Sequence, residues 1–403
     1  MTEIDLALLL EASSPGGGSC LTSVTELEPA GGAHVSVAPA KFAVDGDRKG
    51  AYAYEKRYLD GAVQQAVIVD SKQSQLNRCE AALQQAVVDG HPVLARLPRV
   101  VVRYSRNGVV EEYSDLSLPH RVFDGHIRAG TIAGVPVTQM PEYRTVRDAT
   151  PANARALLDA SPVSLIFGSW DSSRANRQGR WRSALVGEIV GFCADTVPAV
   201  RGGARVDPVG MQVLLGEKAL KELAADQRAE LSSGLQDKVA KAAKTAAGGG
   251  KTVSGSMLGL GGIPPTLEAL GGVACHRIIR SHVLSFATLR QIRFGAGIEG
   301  DAACRALLAA LALNALARSD AELYLRANCD LREASAAVVD LDRRSGERLA
   351  LTALSLTDAD SLLAGALAHA ERVAGVRWDG VVLQVAGNPA IVAGAVEDAD
   401  EPS

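Results

Sequence analysis

Aromatic residues are scarce in this chain of 403 residues, with Phe, Tyr and Trp together making up 4%. A surface that reads single-stranded nucleic acid by stacking rings on bases needs several of them, and no aromatic signature of that kind is present. Lysine is sparse as well, 10 Lys against 32 Arg. The formal net charge of −4 excludes a protein coated in positive charge. Glu397, Asp398, Asp400 and Glu401 account for that surplus alone, so the body sums to about zero and a polyanion must be met by local patches. The six cysteines (Cys20, Cys79, Cys193, Cys275, Cys304, Cys329) form no C-x-x-C and have no histidine partners at metal spacing. They read as small buried thiols of a reducing, cytoplasmic compartment, with no metal or cofactor expected.

Catalytic motifs are missing too. There is no H-E-x-x-H, no G-x-S-x-G elbow and no dinucleotide fingerprint behind a strand. The run GGGKT at Gly248–Thr252 fails as a phosphate loop, because Thr245 stands where the motif needs glycine and a helical pattern precedes it. MTEIDLALLLEASS at the start carries acids and lacks the basic region of a secretory signal. The uncharged run Ala306–Ala317 is too short to span a bilayer and contains Asn314, which marks it as core.

What the chain does have is arginine in clusters. The stretch Ser161–Cys193 is read as a buried strand over Val163–Phe167 closed by Gly168, an Arg-rich loop, and a helix capped by Ser183 that buries Leu185, Ile189 and Phe192. The loop holds Arg174, Arg177, Arg180 and Arg182, with Asp171 its only acid. Guanidiniums ahead of a helix N-terminus make a site for phosphates; the competing reading is a solvated loop in an Arg-rich protein. A second cluster is the acid-free run Val273–Phe294, with His276, Arg277, Arg280, His282, Arg290 and Arg293, which a core strand would not need.

Other elements follow from periodicity. Strands are expected at Cys20–Leu27 and Val63–Val69, and a helix at Lys72–Val88, capped through Asp70 and Gln73, burying Leu76, Cys79, Leu83 and Val87 and turning Gln75, Arg78 and Gln85 outward. Its first turn, DSKQSQLNR, is rich in amides and hydroxyls that suit capping or sugar-phosphate contact. Arg106-Asn107-Gly108 between two alternating runs predicts a hairpin over Arg99–Tyr113. LPHRVFDGHIR brings His120, Arg121, His126 and Arg128 close in sequence, at no metal-ligand spacing. Gly210–Thr245 reads as helical and Gly248–Gly272 as a long flexible insertion. Asp301–Arg318 reads as an amphipathic helix, Glu322–Leu331 as a strand and Ala359–Val373 as a final helix after a Thr357/Asp360 cap, with a disordered tail from Glu397.

Several runs then resemble a known family in order: YAYEKRYLDGAVQQAVIVDSKQSQLNRCEAAL, LPHRVFD, SLIFGSWDS with GRWRSALVGEIVG, GLGGIPP leading to GGVACHRIIRSHVLSFATLR, and YLRANCDL. Over about Leu21 to Leu331 the chain resembles the backbone RAMP subunit of subtype I-G (formerly I-U) CRISPR interference complexes. The resemblance implies an α+β fold, an RRM-like (ferredoxin-type) palm with inserted finger and thumb elements. On that basis, 1–95 is the first part of the palm, 96–160 a hairpin or finger insertion, and 161–200 a palm strand, Arg-rich loop and helix. Residues 201–272 form a helical and Gly-rich insertion, 273–392 complete the palm, and 393–403 are an acidic tail. It also implies a non-catalytic role, with copies side by side along CRISPR RNA and target DNA met through the guide. The implied partners are a large subunit, a Cas5/Cas6-like subunit and a helicase-nuclease. The residues expected at the RNA are Gln73, Gln75, Asn77, Arg78, His120, Arg121, Arg174, Arg177, Arg180, Arg182, His276, Arg277 and Arg280. The alternative is a metal-independent endoribonuclease of RAMP type using His120, His126 or His276 as general acid or base.

Overall fold

The computed structural model describes residues 2–44, 47–106, 108–175, 179–247 and 251–395. The chain divides into two compact units: 1–40, 53–194 and 274–395 make the first, and 41–52 with 195–273 the second.

The first unit is built on an antiparallel sheet. Its strands are β1 (Cys20–Pro29), β2 (Tyr54–Leu59), β3 (Ala62–Asp70), β4 (Leu185–Cys193), β5 (Cys275–Ser285), β6 (Val338–Asp342) and β7 (Arg348–Leu351). Their order across the sheet is β7-β6-β1-β5-β4-β3-β2, and Leu331–Glu333 also pairs with β1. Three helices accompany them: α1 (Lys72–Val88), α2 (Gly297–Glu322) and α3 (Leu356–Ala374). The series β1, α1, β4, β5, α2, β6 with spatial order β6-β1-β5-β4 is the split β-α-β of a ferredoxin-like fold. The fold class is therefore α+β and RRM-like, as the resemblance implied.

Alternation explains the layering. Leu21, Ser23, Thr25 and Leu27 on β1 are buried, as are Ile278, Arg280, His282 and Leu284 on β5, so one sheet face is covered; Gln75 of α1 meets His282 there and Asp320 of α2 meets Arg280. The second face carries Thr22, Val24, Arg277, Ser281 and Val283, all at least partly exposed. The main core continues through the hairpin Arg99–Arg106/Val109–Ser114, which joins Val381–Ala386 in a second, five-stranded sheet.

Several expectations change. Val163–Phe167 is not a strand: Pro162–Ile166 is a short helix with proline at its start. Leu185–Cys193 is not a helix but central strand β4. Its second half, Ile189–Cys193, is buried on both faces, and a short stretch so buried is indistinguishable by its apolar pattern from helical spacing. α1 spans the expected residues, yet its cap is Ser71, whose hydroxyl accepts from the Ser74 N–H, and Gln75 faces inward. α2 is not amphipathic: every residue from Gly300 to Leu316 is buried. By length and composition it is apolar enough to cross a membrane, but 94% of its most apolar window is packed inside this fold. Glu322–Leu331 is the end of α2 and an irregular turn, with Leu323 and Asn328 at positive φ, before a strand that begins at Leu331. α3 is capped by Ser355 rather than through Thr357 and Asp360.

The second unit pairs Ala199–Arg205 with Ile263–Gly272, Lys41–Val44 with Asp47–Tyr52, and Leu214–Leu215 with Val253–Ser254. Helices Glu217–Asp226 and Ser233–Ala246 pack through Leu220, Val239 and Ala243. The expected flexible insertion thus contains a strand, Ile263–Gly272. Pro264 and Pro265 disguise it, and they fall where the ladder register shifts, between Arg205–Ile263 and Gly203–Thr266. Gly248–Gly250 and the acidic tail from Glu397 lie outside the described residues.

Candidate nucleic-acid interface

The Arg-rich segment folds as a small hairpin in which Ser169–Trp170 pairs with Arg180–Trp181. Gly168 at its base has φ +81, and an added Cβ would sit 2.8 Å from Ser183 Oγ and the Trp181 carbonyl, so only glycine fits. The backbone N–H of Asp171 donates to the Gly179 carbonyl at 2.9 Å. Three arginines brace this hairpin from outside or from its own turn. Arg121 donates to the Gly168 carbonyl at 2.7 Å while its other nitrogens grip both Glu80 oxygens at 2.5 and 2.6 Å. Arg128 reaches Asp171 at 3.2 Å and also Ser173. Arg174 reaches Asp148 at 2.7 Å, and Arg147 and Arg174 together hold the Asp148 carboxyl below its ordinary range, mainly through the Arg147 hydrogen bond.

Bracing leaves a few side chains facing solvent. Arg180 and Arg182 are exposed and make no ion pair among the described residues. Arg180 lies over the Trp170 ring, its guanidinium carbon 5.2 Å from the centroid. Trp170 is 45% exposed. Arg177 lies outside the described residues. Trp170 is a residue that sequence reasoning misses: aromatic scarcity argues against stacking, whereas the position of one ring matters more than the number of rings.

On α1, Gln73 and Asn77 are exposed. Gln73, Asn77 and Glu80 fall at i, i+4 and i+7 along one helical row. Glu80 holds Arg121 and Arg121 holds Gly168, so a chain of direct contacts joins this row to the hairpin. Gln75 is 3% exposed and belongs to a different structure. It donates to Asp70 at 2.6 Å and meets His282 Nε2 at 3.2 Å. Asp70, fully buried, also accepts from Ser74, Arg78 and Arg326. Burial pushes its carboxyl up, but the hydrogen bonds from Arg78 and Gln75 and the charges of Arg78 and Arg326 outweigh this and hold it below the ordinary range. Of the amides and hydroxyls of DSKQSQLNR, Ser74 and Gln75 thus serve a buried carboxylate and Ser71 the helix cap, and Arg78 is held by that carboxylate.

The second expected cluster does not join the first. Arg277 sits on the partly exposed sheet face, paired with Glu26 at 3.1 Å and Asp60 at 3.2 Å. Arg280 points through the opposite face, is 2% exposed and pairs with Asp320 at 3.3 Å and Glu333 at 2.6 Å. It lines a cavity of ≈ 630 Å³ with walls such as Leu21, Leu313 and Val339. β5 is therefore a core strand after all, and its cations are matched by carboxylates from β1, α2 and Glu333. Arg277 lies opposite Phe192, whereas Arg182 stands three residues before Leu185 at the other end of β4. Seven residues of strand put roughly 23 Å between those ends. The partly exposed face is neutralised again where Arg57 clasps Glu188 at 2.6 and 3.0 Å.

The histidines are dispersed. His120 is exposed, His126 Nδ1 meets the Tyr104 hydroxyl at 2.7 Å, and His276, exposed, meets Gln64 at 3.1 Å. Among the described residues no group of His, Cys, Asp and Glu is arranged to hold a metal.

Residues 21–196 match the family model described as CRISPR-associated protein GSU0053. The match supports a CRISPR-associated protein. Its span carries β1, α1, β4 and the braced hairpin, so the portion of the chain that matches is also the portion holding Trp170, Arg180 and Arg182. No curated protein matches the chain.

Proposed function

We propose that this chain is a non-catalytic subunit that binds CRISPR RNA along its sugar-phosphate backbone, in several copies, within a type I-G interference complex. The reading rests on one observation above the rest: within the span that matches a CRISPR-associated family, arginines are divided between a braced set and an exposed set on one hairpin. Braced guanidiniums fix the loop; exposed ones meet phosphates, which position a strand without reading its sequence. The contact strip runs from Gln73 and Asn77 past Arg121 to Arg180 and Arg182. Its partners would be the guide, further copies of the chain, and the large, Cas5/Cas6-like and helicase-nuclease subunits, with target DNA met through the guide.

The test is a salt titration of RNA binding. Replacing Arg180 and Arg182 together with Ala is expected to weaken binding equally across RNA sequences and to flatten the log–log salt slope by roughly 0.7 per phosphate no longer held. An unchanged slope would remove the hairpin from the interface. Repeat RNA is expected to stay intact during long incubation with the chain, and cleavage without metal would instead establish the endoribonuclease reading with its histidine acid–base pair.

A further inference from the structure

We propose that Trp170 is a nucleobase-stacking platform, set on the hairpin so that one base of a bound single strand rests on the indole while Arg180 and Arg182 hold the adjoining phosphates. This deepens the RNA-binding reading and rests on it. Three observations converge. The chain has three tryptophans, and two of them are core: Trp181 is 7% exposed and Trp378 fully buried, against 45% for Trp170. The exposed ring is not on a loose loop. Its strand is paired to Arg180–Trp181, its base is pinned by Arg121 on the Gly168 carbonyl, and its next residue, Asp171, is held by Arg128. A rigid aromatic surface forfeits little conformational freedom on binding. Finally, the ring's immediate surroundings are cationic: Arg180 lies against it, Arg182 follows two residues on, and Asp171 is already engaged by Arg128.

That combination fits a single strand better than a protein surface. Stacking on an indole tolerates any base, since each has a π-face, and neighbouring guanidiniums answer the negative charge that accompanies every nucleotide. The platform therefore adds affinity without sequence preference.

The placement supplies its own reporter, because two of the three indoles are shielded. RNA-free full-length protein is titrated with a short oligouridine and with an abasic oligomer of the same length, following tryptophan emission and, separately, anisotropy of end-labelled RNA. Quenching by oligouridine that the abasic strand does not reproduce is expected. Trp170→Ala should abolish the quench and weaken oligouridine binding roughly 5- to 150-fold at unchanged salt slope, while Trp170→Phe retains most of the affinity. Binding by anisotropy with no change in wild-type emission overturns the platform and leaves the RNA-binding reading standing. An emission change that follows self-association without RNA also overturns it and assigns the ring to a contact between copies. Failure of wild-type protein to bind either oligomer at low salt overturns both readings. Should Trp170→Ala misfold, the wild-type comparison of the two oligomers decides alone.

Discussion

Asp115 follows the hairpin of the second sheet, fully buried, with one carboxylate oxygen accepting from the Val100 N–H at 3.3 Å. Burial pushes its carboxyl up to about 7. A carboxyl raised in the folded state keeps its proton while the unfolded chain loses it, so stability falls as pH climbs from about 4 to about 7 and stays lower above. Asp115→Asn is expected to raise the melting temperature at pH 8, by an amount worth about 4 kcal/mol at most, and to give no gain at pH 4. Equal melting curves at both pH values would show that Asp115 is not held protonated. Asp70 has the opposite sign. Its depressed carboxyl contributes stability above about pH 4 that disappears as pH falls through the folded value. Asp70→Asn should cost roughly 3 kcal/mol at pH 7 by leaving the charges of Arg78 and Arg326 without their carboxylate, and should remove part of the acid sensitivity. Denaturant midpoints at pH 7 and pH 3.5 check both halves. At this scale the sequence is a partial guide. It shows where the cations are but not the acids that match them, which stand 8 residues away for Arg78 and Asp70, 53 for Arg280 and Glu333, and 251 for Arg277 and Glu26.

The central pair of strands sets the tightest packing constraint. A Cβ on Gly187 of β4 would fall 1.9 Å from the His282 ring on neighbouring β5, and that ring is buried against Gln75. Gly187→Ala is expected to destabilise by about 3 kcal/mol or more. Shortening the histidine as well, in a Gly187→Ala, His282→Ala double variant, should recover part of the loss, with non-additive melting temperatures. Additive effects would show that the two residues do not meet. The same pair explains what is legible among the elements. β1 and α1 are readable because each buries one side and keeps its period clean, and the Arg99–Ser114 hairpin because its Asn-Gly dipeptide marks a turn between two apolar runs. β4 from Ile189 to Cys193 and α2 from Gly300 to Leu316 are buried on all sides, so those stretches carry no phase: the first mimics helical spacing and the second mimics an amphipathic stripe.

For the molecule as a whole, the net charge predicts local patches rather than a basic surface, and the structure makes the division concrete. The ferredoxin-like order is reachable only through resemblance, since residues 89–184 separate the end of α1 from β4 and no local signal says which strands meet. The site is half legible: the hairpin arginines and the α1 row are linked through Glu80 and Arg121, while the β5 cluster is matched to carboxylates on both sides of the sheet.

That last feature bears on behaviour in a crowded cell. A sheet whose cations already have acidic companions offers bulk nucleic acid almost nothing to adhere to, so an isolated copy should hold stray transcripts only by its hairpin, weakly and at low salt. If copies line up on one strand as proposed, each adds a small grip, so long RNA is retained at salt concentrations that release short fragments.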